Sequence, residues 1–280
     1  FFEIQRKGLA TNAYIAAGAG ALCYACSALQ GVRTPIPYIL ISSLYILSMH
    51  TLNNLTGLRE ARYNNPDLAL FFETHKTNLV IAALSSGGVG LFVAASMGIL
   101  PFVLLLIMSL LGLSYNLKLV PDSVPNVRYR CIRDIPGSKT VLISLAWGVV
   151  TALFPILATT GSVTWATIPT FFWAVGTVFV RSAFFDVLDM QGDQIVGKET
   201  LPILMGKRQT LSLLRMTLMF LGVILLLSAA AGILPGLALV LILCPVYMAV
   251  LIAFHRQAYI RPGIRLEFLG GEKEKVLFWN

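Results

Sequence analysis

Acid is scarce in this chain. Of its 280 residues only 13 are Asp or Glu, against 21 Lys and Arg, and 12% in all carry charge. So few charges cannot solvate a surface when 57% of the residues are hydrophobic and the mean hydropathy is +0.79, which excludes a soluble cytosolic domain. Histidine is rarer still, with three copies, and neither His75 nor His255 has the neighbours that zinc would need. The four cysteines are scattered. Cys23 and Cys26 sit three apart in an apolar stretch, where packing is the expectation, while Cys131 falls in a charged connection and Cys244 in an apolar run. Nothing in their spacing suggests a disulfide framework. There is no low-complexity segment, no linker, no cleavage pattern of a signal peptide and no soluble basic domain. One domain over 1–280 is expected, and nucleic acid is not an expected partner.

What is present is a series of long apolar runs. A bilayer core of ~30 Å takes roughly 20 helical residues to cross, and runs of about that length fall near 9–29, 36–56, 77–98, 99–117, 140–160, 164–185, 209–231 and 234–254. The expected fold is therefore all-α: a polytopic integral membrane bundle of eight transmembrane helices, or nine if another begins near Lys275. Basic residues fall at the amino terminus and in every second connection: Arg6 and Lys7; Arg59, Arg62 and Lys76; Lys118 through Lys139; Lys198 through Arg208; Arg256 through Arg265. The alternate connections hold Arg33 alone. Short loops rich in Lys and Arg stay cytoplasmic, so the charged loops are expected to face the cytoplasm. The net charge of +8 reads as this bias together with attraction to anionic membrane lipid or an anionic substrate.

The outer connections are minimal, whereas the inner ones near 57–76, 118–139 and 186–208 hold nearly all the charge. Loops positioned by a rigid scaffold are where function concentrates. Two of these stretches resemble each other in architecture, "LSMHTLNNLTGLREARYNNP" (47–66) and "FVRSAFFDVLDMQGDQIVGKETLP" (179–202). Each is an apolar run that continues into a polar extension and ends near a proline.

In the second stretch Asp186, Asp189 and Asp193 are spaced i, i+3 and i+7, which places them on one face of a helix. Carboxylates on one stripe repel each other unless they meet water or a cation, and ionisable groups beside a span usually mark a site. Hard oxygen donors suit Mg²⁺, which takes one or two carboxylates and completes its shell with water and phosphate oxygens. Gly192 and Gly197 let the backbone come close to a ligand and end the helix. The plain alternative is a solvated helix end with ordinary surface acids.

The run "DVLDMQGDQIVGKETLPILMGK" resembles the second aspartate-rich motif of the UbiA superfamily of intramembrane prenyltransferases, carried by Asp186, Asp189, Gly192, Asp193, Gly197, Thr200, Leu201, Pro202, Gly206 and Lys207. "LSYNLKLVP" (113–121) is similar to the family's tyrosine-and-lysine motif at the end of the fourth span, and "IPGSKTVLISLAWG" (135–148) to the entry to its fifth. The resemblance covers nearly the whole chain. It implies two acidic motifs facing each other across a cavity, Mg²⁺ gripping the diphosphate of an isoprenyl donor, ionisation to an allylic cation, and attack by a lipophilic acceptor, aromatic by default. It also implies metal and catalytic roles for Asp186, Asp189 and Asp193, and diphosphate contacts from Lys118 and Tyr115, with Lys198 and Arg181 as further candidates. Phe184 and Phe185 read as packing residues. A bacterial or archaeal cell membrane is the expected location.

The first motif departs from the family's N-D-x-x-D-x-x-x-D. Aligned positions are Asn53, Asn54, Gly57 and Ala61, so only the leading Asn survives. Glu60 is the sole nearby carboxylate. Asn53 and Asn54 can still offer carbonyl oxygens to a cation, and Arg59 or Arg62 can take over part of the diphosphate neutralisation through a planar guanidinium. Three readings stand: a prenyltransferase working with one Mg²⁺, a catalytically impaired homologue that binds an isoprenoid diphosphate or lipid, and a cation or lipid transporter. His50, three residues before Asn53, reads either as a hydrogen-bonded helix-end residue or as one that touches the acceptor.

Overall fold

The structure, a computed structural model, describes residues 12–33, 36–114 and 135–260, without the side chains of 60 and 255–260. Tyr115, Lys118, Cys131 and the expected ninth span near Lys275 lie outside the described residues. Those described form helices and turns, with no strand among them.

Helices occupy all eight expected segments: α1 (Ala13–Leu29), α2 (Ile36–Thr56), then α3 (Leu58–Asn64) and α4 (Pro66–Thr74) in the first long inner connection, α5 (Lys76–Met97), α6 (Ile99–Ser114), α7 (Ser138–Gly148) continuing through a π-helical turn (Val149–Leu153) into α8 (Phe154–Thr160), α9 (Thr167–Leu188), α10 (Met190–Val196) and α11 (Leu201–Met205) in another inner connection, α12 (Lys207–Ala230), α13 (Leu237–Leu241) and α14 (Leu243–Ile260). Five are long and apolar enough to cross a membrane: Lys76–Met97, Ser138–Thr160, Thr167–Leu188, Lys207–Ala230 and Leu237–Phe254. Ala13–Leu29 and Ile99–Ser114 are shorter apolar helices. Helix α2 is long enough, but His50, Thr51, Asn53, Asn54 and Thr56 make its last turns polar.

Two interruptions have covalent causes. Pro155 at the start of α8 has no N–H to give to Thr151, and the helix opens into the π turn just before it. The opened carbonyls are satisfied from neighbouring helices: Ser42 Oγ donates to the Val150 carbonyl at 3.2 Å and Gln30 Nε2 to that of Ala152 at 3.0 Å. Pro245 likewise cannot bond back to Leu241, where α13 gives way to α14.

In lipid, helices associate by close van der Waals contact more than by a hydrophobic drive, so small residues mark the seams. A Cβ on Gly20 of α1 would stand 2.6 Å from Ser43 Oγ of α2, and one on Gly148 would stand 2.3 Å from Val175 of α9. One core cluster ties α1, α2, α5, α6 and α7 through Cys23, Ile41, Ala94, Leu105 and Trp147. Another ties α9, α12 and α14 through Val180, Phe184, Leu214 and Ile252. The two halves meet where α7 packs on α9. The C-terminal ends of α2 and α9 and the N-terminal end of α7 share one end of the bundle, where α3 packs on α10.

Candidate functional site

The first inner connection is shaped by its own sequence. The i→i−4 ladder continues from α2 through Gly57, whose amide bonds the Asn53 carbonyl at 3.0 Å. It stops at Asn65, because the residue before a proline is pushed out of the helical region. Asn65 then caps α4, its side chain accepting from Leu68 N at 3.2 Å, with Pro66 and Asp67 in the first turn. Asn64, the last residue of α3, is thereby left beside α10.

The acidic stretch bends at Asp189, between α9 and α10, yet the ladder persists: Asp189 N bonds Phe185 O at 2.9 Å and Asp193 N bonds Asp189 O at 3.0 Å. The expected helical register of the three acids therefore survives the junction. Gly197, with φ of 78°, ends α10 in the left-handed region. Asp186 is buried and accepts a hydrogen bond from Thr140 Oγ1 of α7 at 2.5 Å. Asp193 is buried, and its Oδ1 accepts from Asn64 Nδ2 of α3 at 3.2 Å. Gly192 makes that approach possible, since a Cβ there would fall 1.7 Å from Asn64 Oδ1. The two halves of the chain are joined across this contact.

The electrostatics fit a cation. Burial pushes the Asp189 carboxyl up to about 6, helped by the charges of Asp193 and Asp186 and opposed by Lys139 and Lys198. Asp193 is also raised, by burial first and by Asp186, against Lys198, Lys139 and the Asn64 hydrogen bond. Crowded carboxylates that resist ionisation are a donor set a divalent ion would relieve. Among the described residues no group of three His, Cys, Asp or Glu is arranged to hold a metal ion; Mg²⁺ needs only one or two carboxylates and completes its shell with water and phosphate oxygens. One or two of Asp186, Asp189 and Asp193 could supply those carboxylates. Metal binding requires the carboxylate, so Mg²⁺ affinity is expected to rise by up to about tenfold per pH unit below pH 6 and to level off above it. Because the folded-state value of Asp189 is raised, its contribution to the metal-free fold is full below its ordinary value of 3.8 and lost as pH rises through about 6. Isothermal titration with Mg²⁺ and thermal unfolding without it, both between pH 5 and 8, check the two opposite slopes.

The other candidate residues are placed as follows. Asn53 lines a cavity beside α2, whereas Asn54 Nδ2 donates to Asn12 Oδ1 at 3.1 Å and ties α2 to the start of α1. Arg59 is exposed. Arg62 is exposed and paired with Glu73 at 2.7 Å. Glu60 has its backbone in α3. Arg181 stacks on the Phe185 ring, 5.0 Å from its centroid, within electrostatic range of His50. Lys198 lies within electrostatic range of Asp189 and Asp193.

Three residues of the site were not singled out from the sequence. Asn64 carried no signal beyond standing one residue before the helix cap. Thr140 reads as an ordinary span residue. Lys139 had a signal: a cation in the first turn of a helix opposes the macrodipole and calls for a compensating anion. It faces the acids and also lines the cavity.

That cavity, of about 380 Å³, lies between α2, α6 and α7. Its wall is mostly apolar, with His50, Asn53 and Lys139 at the polar end. Leu111, Leu142 and Leu145, which also line it, are exposed on the apolar outer face.

Fold and site together define a protein that is helical in its described residues, with helices long and apolar enough to cross a membrane and a cluster of acids and lysines at one end of the bundle. The chain belongs to the UbiA prenyltransferase family, whose model matches residues 13–269. Solved structures share the fold. A UbiA homologue from Archaeoglobus fulgidus bound to GPP and Mg²⁺ aligns with a TM-score of 0.62 at 14% identity, over 88% of this chain and 86% of the other. The same description with DMAPP and Mg²⁺ gives 0.61 at 15% identity, over 88% and 85%. A structure described as digeranylgeranylglyceryl phosphate synthase gives 0.55 at 19% identity, over 87% and 82%. No curated protein matches the chain in sequence.

Proposed function

We propose that this chain is a Mg²⁺-dependent intramembrane prenyltransferase that takes an isoprenyl diphosphate and passes its isoprenyl group to a membrane-partitioning acceptor, aromatic by default. The observation that carries the reading is the convergence of Asp186, Asp189 and Asp193 with Lys139 and Lys198, Lys139 also lining a lipophilic cavity. Opposite charges side by side suit a cation and a polyanion bound together. Family membership and the Mg²⁺ and prenyl diphosphates bound by structural relatives support it.

Bound Mg²⁺ would supply neutralisation of the diphosphate as negative charge builds on the leaving oxygen. The chain's own residues do the rest. Asp189 and Asp193 present oxygens at the junction of α9 and α10, and Thr140 fixes the Asp186 carboxylate by a hydrogen bond. Lys139 and Lys198, with Lys118, Tyr115 and Arg181, attract and orient the diphosphate. The apolar cavity receives the isoprenoid and keeps water from the reacting carbon. Asn53 would add a neutral oxygen, and Glu60 reads from the sequence as a further carboxylate. Arg59 is open to solvent, and Arg62 would contribute to diphosphate binding on leaving Glu73.

The chain reads as one domain of eight or nine spans with the charged loops cytoplasmic, in a bacterial or archaeal cell membrane. Diphosphate release from a panel of isoprenyl diphosphates, with and without Mg²⁺ and with and without an aromatic acceptor, tests the reading. Release that needs Mg²⁺ is expected. A second reading, binding without turnover, is favoured by one observation: at the first motif Asn54 is engaged with Asn12 and offers no carboxylate. Mg²⁺-dependent donor binding with no release from any donor would select it.

A further inference from the structure

Charged side chains within a membrane-spanning helix are rare, and they normally turn into the bundle or pair with another charge. Arg215 does neither. It lies about two turns into α12, roughly 12 Å along the axis from Lys207. Leu211, Leu214 and Leu218 of that helix pack into the core, whereas Arg215 is half-buried on its flank, beside the exposed Met216 and Met219. Its Nε donates to the Leu211 carbonyl at 3.2 Å, one turn nearer the end of the bundle that carries the acids, so the side chain is turned back toward that end. Among the described residues this is its one hydrogen bond, and it has no ion pair. Arg208, seven residues earlier on the same face, is exposed and among the described residues has no hydrogen-bond or ion-pair partner. The sequence offers them none nearby: between Glu199 and Glu267 there is no Asp or Glu, against six cations in Lys207, Arg208, Arg215, Arg256, Arg261 and Arg265. The face that carries Arg208 and Arg215 continues along α12 as Met219, Gly222 and Leu226. Met219 and Leu226 are exposed, and a Cβ on Gly222 would meet nothing within 4 Å, so an open notch separates two large apolar side chains.

We propose that this face of α12 binds one anionic phospholipid, with its phosphate held by Arg208 and Arg215 and an acyl chain laid along Met219, Gly222 and Leu226. A guanidinium grips phosphate oxygens in pairs. The two arginines start about 10 Å apart along the axis, and because Arg215 already turns toward Arg208, two long side chains can close on one phosphate. The apolar tract separates a lipid from free phosphate, which would use the cations and leave the tract unused. A net negative head group is selected over a zwitterionic one because this stretch of chain has no carboxylate to pair with an ammonium. None of these residues lines the cavity or is among the charges acting on Asp189 and Asp193. The site is therefore independent of the prenyltransferase reading.

The test is native mass spectrometry of the full chain, stripped of lipid and titrated with phosphatidylglycerol or phosphatidylcholine of the same acyl chains. Wild-type protein is expected to retain one phosphatidylglycerol with a preference of roughly 25-fold, at about fivefold for each arginine. Arg208→Gln and Arg215→Gln should each cut the preference about fivefold, and the double variant should bring it near parity. Gly222→Leu fills the notch with both cations in place and should weaken retention of phosphatidylglycerol. Lys76→Gln removes an exposed cation from the start of α5, at the same end of the bundle, and should leave the preference unchanged. Equal retention of the two lipids by wild-type protein overturns the proposal without any variant having to fold. A loss in Lys76→Gln as large as in Arg215→Gln overturns it too, since bulk charge would then explain the preference. Displacement of the lipid by millimolar inorganic phosphate would make the arginines a free-phosphate site, and retention that ignores Gly222→Leu would remove the acyl chain from this face.

Discussion

Asp189→Asn is expected to lower Mg²⁺-dependent diphosphate release by on the order of 100-fold or more, while making the metal-free protein more stable above pH 6. Both effects come from one property. The Asp189 carboxyl is raised to about 6 by burial and by Asp193 and Asp186, so at neutral pH the fold carries a carboxylate it disfavours. Asparagine keeps the shape and drops the charge, which relieves the repulsion and removes an anionic oxygen from the donor set. Loss of a metal ligand costs at least as much as the 10–100-fold typical of groups that merely orient ligands, and weaker charge stabilisation at the leaving diphosphate adds to it. Stability and function therefore move in opposite directions. A residue that only packs would lose both together. Diphosphate release across a Mg²⁺ titration, and thermal unfolding in EDTA at pH 5 and pH 8, read the two effects. Unchanged release at saturating Mg²⁺ would remove Asp189 from the metal set.

Much of this was legible in the residues, and what was not has identifiable causes. Helix positions followed from apolar runs, and five of those helices are long and apolar enough to cross a membrane, because a run of about 20 such residues has few other fates in a chain so poor in charge. The acid register was legible because i, i+3 and i+7 share a helical face, and the backbone keeps its i→i−4 bonds through the bend at Asp189. Local spacing carried that far. The partners of those acids are non-local: Thr140 is 46 residues from Asp186 and Asn64 is 129 from Asp193. Nothing in periodicity encodes such pairs. The degenerate first motif also left open what Asn54 does once it is no longer an acid, and its bond to Asn12 gives it work as a tie between α1 and α2. The π turn is an intermediate case, since Pro155 announces a fault in the helix but its accommodation depends on Ser42 and Gln30 from elsewhere.

Gly192→Ala should be the most damaging single-methyl change in the site. An added Cβ would lie 1.7 Å from Asn64 Oδ1 and 2.6 Å from its Cγ, so the Asn64 side chain has to leave and its bond to Asp193 goes with it. The clash is with the end of a movable side chain, so the cost is the bond it gives up: the buried Asp193 loses a hydrogen bond to a charged acceptor, worth about 1.5–3 kcal/mol. The seam between α3 and α10 would loosen, and Mg²⁺ affinity would fall with it. The double variant Asn64→Ala with Gly192→Ala isolates the cause. Removing the Asn64 side chain vacates the space the methyl needs, so the double variant is expected to be no less stable than Asn64→Ala alone and more stable than Gly192→Ala alone. Such coupling is the signature of direct contact. Mg²⁺ affinity should stay low in all three, because each lacks the amide that orients Asp193. Additive unfolding free energies would mean that α3 and α10 do not meet here. Retained Mg²⁺ affinity in Asn64→Ala would mean that the contact braces the fold without positioning the acid.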